Sequence, residues 1–343
     1  MSTPIEGLDL PALERFFVER VPGFAGGLTA TLLAGGRSNL TYLLTDGQGR
    51  WVLRRPPLGG LTPSAHDVLR EHRVVEALSD SEVPVARAIA HDSGTVIGAP
   101  FSLVEHVAGP VIRTEEQLHA LAQDDIDRCA HALVDVLARL HALAPEKVGL
   151  GDFGRPQGYV GRQIRRWYDQ WQRVHTRDLP DIDALHAGLA AAQPAEGDAS
   201  IVHGDFRIDN VILAPEDPGI IRAVVDWEMS TLGDPLADLG VHIVYSDPAF
   251  AHVLAGSAAS TSPRLPGTEA TARRYAESTG RDLSDFPFYL ALGYFKVAVI
   301  AEGIYARFLA GVTRGEGFEG AGAATAPLAA AGLRALSGNL ERR

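Results

Sequence analysis

The chain has 343 residues, enough to bury one large core or two modest ones, and its 46% hydrophobic and 22% charged residues are the balance of an ordinary globular protein. A formal net charge of −12 argues against nonspecific binding to nucleic acid or to an anionic membrane, since both need a basic surface; any phosphate site must be locally basic. Cys129 stands alone, which excludes an intrachain disulfide and suits a reducing, cytoplasmic compartment.

Met1 to Phe24 carries Glu6, Asp9, Glu14 and Glu19 among its apolar residues and lacks the apolar core of a signal peptide; Asp9 to Val21 reads as a short amphipathic helix. From Thr29 to Leu103 brief β-like runs alternate with turns, broken by one helical stretch from Ser64 to Leu78, which makes a small N-terminal lobe. Gly35-Gly36-Arg37-Ser38 lies between two apolar runs and reads as a hairpin turn, either a purely structural one or one whose backbone approaches phosphates. Trp51-Val52-Leu53 is a strand ending in two cations, Arg54 and Arg55, and Phe101 to Val104 is an apolar strand that runs toward Gly109.

After Gly109 the patterns turn helical. Asp124 to Leu143 is amphipathic, and Tyr159 to His175 carries Arg162, Arg165, Arg166 and Arg173 against Asp169, with Trp167 and Trp171 one turn apart on one face. Such a helix either lines a site for a neutral or anionic ligand, or is a solvent-facing helix whose tryptophans pack on the core. Gly256 to Gly267 reads as a flexible loop, Thr268 to Ser278 as a charged helix, and Phe288 to Leu309 as a buried apolar helix whose Lys296 and Glu302 interrupt any membrane span. Lys296, Glu302 and Tyr305 are expected to point outward, with an acceptor-facing role as the alternative. The Gly- and Ala-rich tail from Gly311 to Gly332 reads as partly loose.

One stretch interrupts the helices, and it carries the chemistry. Ile201-Val202 leads into His203-Gly204-Asp205-Phe206-Arg207-Ile208-Asp209-Asn210, an apolar run follows, and Ile220 to Val225 leads into Asp226-Trp227-Glu228, which reads as strand, loop, strand, turn, strand. In protein kinases the catalytic loop places an Asp, four residues and an Asn, the Asp accepting a proton from the attacking hydroxyl and the Asn holding magnesium. Asp205 and Asn210 keep that spacing, and Asp226 adds the hard anionic oxygen that a magnesium-nucleotide complex requires. The alternative is that all three are ordinary turn residues. His141 and His203 lack partners at zinc-ligand spacing and are expected to be hydrogen-bonded scaffold, which weakens a metal-dependent hydrolase. Asp234 and Asp238 are expected to cap and brace the following helix.

The motifs His203-Gly204-Asp205 to Asn210, Asp226-Trp227-Glu228 and Gly233-Asp234-Pro235 to Asp238-Leu239 resemble those of the aminoglycoside-phosphotransferase-like (APH) small-molecule kinases. The resemblance implies an α+β, bilobal protein-kinase-like fold, with a β-rich nucleotide-binding lobe over residues 1–105 and a mainly helical catalytic and substrate lobe over 106–343. It implies ATP and Mg2+ in the cleft between lobes, Asp205 and Asn210 as catalytic residues, and Asn210 and Asp226 as metal ligands. By the same match Ser38 contacts a phosphate oxygen, Arg54 takes the place of the usual phosphate-binding lysine, and Glu71 orients it. Read without the family, Arg54 and Glu71 are a surface ion pair. Phe101 to Gly109 resembles the hinge between lobes, where the Glu105 carbonyl and Val107 amide would bond the adenine edge, with a plain edge strand as the alternative; Glu228 either touches a second ion or does not.

Arg54-Arg55-Pro56-Pro57 and Gly161-Arg162-Gln163-Ile164 to Trp167 further resemble kinase domains fused to acyl-CoA dehydrogenases. That implies an O-kinase acting on a small-molecule hydroxyl, with a hydroxy acid or hydroxyacyl-CoA as acceptor, Arg162, Arg166 and Trp167 as acceptor residues, and a functional link to an acyl-CoA dehydrogenase. An aminoglycoside or other antibiotic O-kinase is one alternative. A pseudokinase-like nucleotide-binding module without turnover is the other, motivated by Arg54 and the incomplete glycine loop.

Overall fold

A computed structural model describes residues 5–33, 39–58, 67–254, 258–312 and 317–338. It divides into two compact units: residues up to Ala108 together with Arg222–Ser230, and Gly109–Ile221 together with Thr231 onward. The short 222–230 segment therefore belongs with the first unit, although its sequence position is deep in the second half of the chain.

In the first unit, α1 (Leu10–Arg20) begins at Asp9, whose side chain accepts the Ala12 N–H at 3.0 Å, with Pro11 in the opening turn where its missing N–H costs nothing. It is followed by β1 (Thr29–Leu32), β2 (Leu40–Thr45), β3 (Arg50–Arg55), α2 (Val68–Leu78), β4 (Ala88–Ser93) and β5 (Pro100–Glu105). The five strands form an antiparallel sheet in the order β1-β2-β3-β5-β4. Side chains alternate between faces along β3. Trp51 and Leu53 enter an apolar cluster with Leu13 and Phe17 of α1, Tyr42, Leu44, Phe101 and Leu103, and the Phe17 ring meets Trp51 edge-on at 5.1 Å. Arg54 is thereby directed to the opposite face. There α2 packs on β4 and β5, its first turn capped by Asp67, which accepts the Arg70 N–H at 3.0 Å. The helix expected from Ser64 thus starts at Val68; Ser64 lies outside the described residues.

The second unit contains α3 (Glu115–His119), α4 (Gln123–Ala142), α5 (Tyr159–Val174), α6 (Pro180–Ala191), the short strands β6 (Ser200–Val202) and β7 (Val211–Leu213), then, beyond β8 (Ile221–Val224), β9 (Thr231–Gly233), α7 (Pro235–Val244), α8 (Thr268–Thr279), α9 (Phe286–Leu309) and α10 (Gly322–Leu336). The β6 and β9 strands pair antiparallel. Among the described residues α9 is the one helix long and apolar enough to cross a membrane, and 78% of its most apolar window is buried in the protein, as a core helix requires. It meets α7 through glycines: a Cβ on Gly240 would stand 2.5 Å from the Tyr289 carbonyl oxygen, and one on Gly293 would stand 3.0 Å from Gly240 itself.

Three expectations need correcting. The tail is not loose over 322–336. Its alanines have the highest helix propensity and its small side chains let α10 lie against α6 and α9, where a Cβ on Gly332 would meet Leu185 at 2.6 Å. The loop before α8, over its described residues, is pinned: Ala259 N–H bonds the Arg113 carbonyl at 3.0 Å, and Arg264 bonds the Leu121 carbonyl at 3.0 Å and Gln123 at 3.1 Å. Lys296 and Glu302 do not point outward but are buried. Glu302 accepts from Thr176 N–H and Oγ1 at 3.0 and 2.6 Å, from Arg177 at 3.1 Å and from Thr325 at 2.9 Å, which satisfies a buried carboxylate.

Candidate active site

In the first unit, the guanidinium of Arg54 is shared by two carboxylates. One Nη lies 3.1 Å from Glu71 on α2 and the other 3.2 Å from Asp226. Glu71 is buried, so the pair is not a surface ion pair, and its other oxygen accepts from the Asn39 amide at 2.9 Å. Burial pushes the Glu71 carboxyl up to about 7; Arg54 opposes the shift, and the charges of Asp226 and Glu228 add to it. Burial works against the Arg54 charge, but Glu71 and Asp226 outweigh it and hold the guanidinium more firmly protonated than usual. Arg54 Nε is buried with no hydrogen-bond partner among the described residues. The arginine that replaces a lysine here thus makes use of its fork, one amino group to each acid.

Asp226 is the sole described non-glycine residue with left-handed backbone, φ 67 and ψ 59. Asp adopts this region more readily than most side chains, but at a cost that clusters at functional positions. The turn that follows is fixed by Trp227, whose indole N–H donates to the Val224 carbonyl at 3.0 Å, and by Arg70 of α2, which bonds the Ser230 carbonyl at 3.3 Å. Glu228 lies in that turn, half-buried.

In the second unit, the 203–210 loop closes on itself. Asn210 Nδ2 donates to the Asp205 carbonyl at 2.8 Å and to Asp205 Oδ2 at 3.0 Å; since both partners are acceptors, the amide must face them with its nitrogen. Tyr245, the residue that caps the C-terminus of α7, donates to Asp205 Oδ1, and Arg207 approaches Oδ2 at 3.4 Å. Burial first, and the Asp205 charge second, push the Tyr245 phenol far above its ordinary pKa, so it remains a donor at any physiological pH.

Below this loop sits Asp238, fully enclosed. It accepts the His203 N–H at 2.6 Å, the Gly204 N–H at 2.8 Å and His141 Nε2 at 3.3 Å, while His141 Nδ1 meets Tyr275 at 2.8 Å. Burial alone would raise the Asp238 carboxyl; the His141 hydrogen bond and the charges of His141 and His203 reverse that and hold it near 2. Asp234 caps α7 through the Leu236 N–H at 2.9 Å, but Asp238 braces the loop and not its own helix. His141 and His203 are hydrogen-bonded scaffold, the latter accepting the Asp205 N–H at 3.2 Å. Among the described residues no three His, Cys, Asp or Glu side chains group as a metal site. Lys296 completes the support: its ammonium donates to the Gly204 carbonyl at 2.5 Å and lies 5.8 Å from the Trp167 ring centre.

The remaining candidates are dispersed. Trp167 is buried beside Lys296, with Arg166 over its ring at 5.5 Å, but Arg162 turns back to bond the carbonyls of Arg155 and Gln157 in the preceding loop. Glu105 ends β5 with its side chain exposed and paired to Arg87 at 3.0 Å, and Val107 follows two residues on. Ser38 lies outside the described residues. Motif spacing does not point to Asn39 or Tyr245, because their places against Glu71 and Asp205 depend on contacts distant in sequence.

The model of the phosphotransferase enzyme family, APH, matches residues 29–275. Acyl-CoA dehydrogenase family member 11 of Rattus norvegicus is 33% identical over 341 residues, and that of Homo sapiens 34% over 317. These matches cover 96% and 90% of this chain but 44% and 40% of those proteins, so the chain spans less than half the length of these relatives. A protein of Ralstonia eutropha provisionally named an aminoglycoside phosphotransferase has a crystal structure that superposes with a TM-score of 0.83 at 32% identity, covering 97% of this chain and 99% of that one. Aminoglycoside phosphotransferase APH(4)-Ia, solved with AMP-PNP and hygromycin B, shares the fold with a TM-score of 0.61 at 18% identity, over 94% and 98% of the two chains. A match over most of the chain, with relatives above 30% identity along nearly all of it, establishes the conclusion: the chain belongs to the phosphotransferase enzyme family.

Proposed function

We propose that this protein transfers the terminal phosphoryl group of ATP to a hydroxyl of a small molecule, in a magnesium-dependent reaction, and that the acceptor is a hydroxy acid or hydroxyacyl thioester. The observation that carries the proposal is the closed loop in which Asn210 Nδ2 engages Asp205, since it orients one amide oxygen and one carboxylate by the same pair of hydrogen bonds. Each residue has the chemistry of a magnesium ligand: the amide orientation leaves Asn210 Oδ1 as a hard oxygen donor in the second unit, and Asp226 in the first would supply a carboxylate oxygen. Magnesium, when bound, neutralises charge on the phosphates. Arg54 binds the phosphate oxygens with the help of its unpartnered Nε, and Glu71 holds the guanidinium in place. Asp205 orients the acceptor hydroxyl and takes its proton, while Tyr245 and Asn210 fix the carboxylate; catalysis is then mostly placement and charge neutralisation.

The finer assignment of the acceptor is supported by Arg166 and Lys296, which approach the Trp167 ring centre to 5.5 and 5.8 Å, a cationic setting unsuited to a polycationic aminoglycoside, and by relatives named acyl-CoA dehydrogenases. A working link with such a dehydrogenase is part of the same proposal. ATP consumption over a panel of hydroxy acids, hydroxyacyl thioesters and aminoglycosides tests it. Turnover should rise with one of the first two classes. Asp226→Ala should abolish it, and Asp205→Asn should lower it by about 100-fold or more with nucleotide affinity kept, as for loss of a positioned acid or base. Stimulation by aminoglycosides alone would remove the acceptor assignment, and full activity in either variant would remove the roles given to these acids.

A further inference from the structure

We propose that Lys296 of α9 is a positioning residue for phosphoryl transfer, fixing the Gly204 carbonyl and thereby aiming Asp205; the proposal rests on the role given above to Asp205. Lys296 is 8% exposed on a helix that is otherwise apolar over this region, and among the described residues it forms no ion pair with a carboxylate. A buried ammonium is costly unless compensated, and leucine or methionine would serve packing better. Its compensation comes from the Gly204 carbonyl at 2.5 Å, from the face of Trp167 and from the charges of Asp205 and Asp238.

From the other side, the Gly204 N–H is held by Asp238 at 2.8 Å. Gly204 has φ +81, a conformation that an L side chain rarely adopts, and glycine without a Cβ has no side chain of its own to hold it there. It is tied at both its N–H and its C=O, by α7 and α9 respectively. The next residue is Asp205, whose own N–H is bonded to His203. The direction of the Asp205 side chain is therefore set by the backbone before Tyr245 and Asn210 reach it, and Lys296 supplies the half of that restraint that Asp238 cannot, because a carboxylate cannot donate to a carbonyl.

The test uses the full chain, with Mg-ATP hydrolysis in water as the probe and amide hydrogen exchange at Gly204 and Asp205 as a second readout. In Lys296→Met, kcat should fall by about 10- to 100-fold, the effect of misplacing a reacting group, while KM for ATP and the melting temperature hold. Exchange at the two amides should quicken, and Lys296→Arg, which keeps a donor, should recover part of the rate. Unchanged kcat and unchanged exchange in Lys296→Met would overturn the proposal. So would a loss that tracks only the folded fraction and is not relieved by arginine. Should the methionine variant fail to fold, Lys296→Gln and Lys296→Arg are judged by the same readouts. If Asp205→Asn keeps its full rate, the role of Asp205 is what fails, and the exchange measurement still decides whether Lys296 holds the loop.

Discussion

Asp238 shows how a single buried acid can organise a loop that it does not belong to. It receives three hydrogen bonds and has a carboxyl held near 2 against an ordinary 3.8, so the native state favours its ionised form. The stabilisation from this group is complete above its unfolded pKa and is lost as pH falls through about 4 toward 2. The shift corresponds to roughly 2–3 kcal/mol. Asp238→Asn should therefore lower urea-measured stability at neutral pH by about that amount or more, because an amide would turn an N–H toward other donors, and it should flatten the acid limb of the stability curve. A variant as stable as the parent, with the same acid limb, would show that the hydrogen bonds to His203 and Gly204 are incidental. Arg54 makes the complementary point with a cation: its two amino groups serve two acids, a geometry that a lysine in its place would not reproduce.

Among the elements, the crossing of α7 and α9 is closed by main chain against main chain. Gly240 lies against the main chain of Tyr289, and main chain cannot rotate away as a side chain can. Gly240→Val should cost about 3 kcal/mol or more by overpacking, whereas Gly197→Ala, with nothing within 4 Å, should leave the unfolding midpoint where it is. Equal midpoints for the two variants would mean that the helices separate easily. Element type was legible wherever a long patterned run existed: α4 follows from its amphipathic spacing, α5 from its aromatic and basic faces, α8 from its charged run and α9 from its apolar run, although none of the four has a side-chain cap at its N-terminus. α6 and α10 were not. The apolar residues of α10 are mostly alanine, which contributes little amphipathic signal, and its glycines look like breakers until α6 and α9 are placed beside them. The inward Lys296 and Glu302 were illegible for a related reason, since a charge in an apolar helix is read as solvent-facing unless its buried partners, Gly204 and the Thr176, Arg177 and Thr325 group, are known.

On the scale of the whole molecule, two compact units make a single cooperative transition an unsafe assumption, and binding should be read from the shift of each transition. With magnesium and a non-hydrolysable ATP analogue at 100 times Kd, stabilisation of about 2.7 kcal/mol is expected, seen as a higher melting temperature. The shift should vanish in Arg54→Ala and persist in Asp205→Asn; persistence in both would exclude Arg54 from nucleotide binding. The loop spacing of Asp205 and Asn210 was readable because both lie on one short segment, whereas the meeting of Arg54, Glu71 and Asp226 joins residues 172 positions apart and could be anticipated only through family resemblance. The left-handed turn at Asp226 adds a consequence for how such a protein changes over generations. Asparagine and glycine fit that backbone as comfortably as aspartate does. One exchange at this position can therefore silence the charge and leave the scaffold intact, so that an inert descendant would keep the family's outline and be told apart by the residue at position 226, not by its shape.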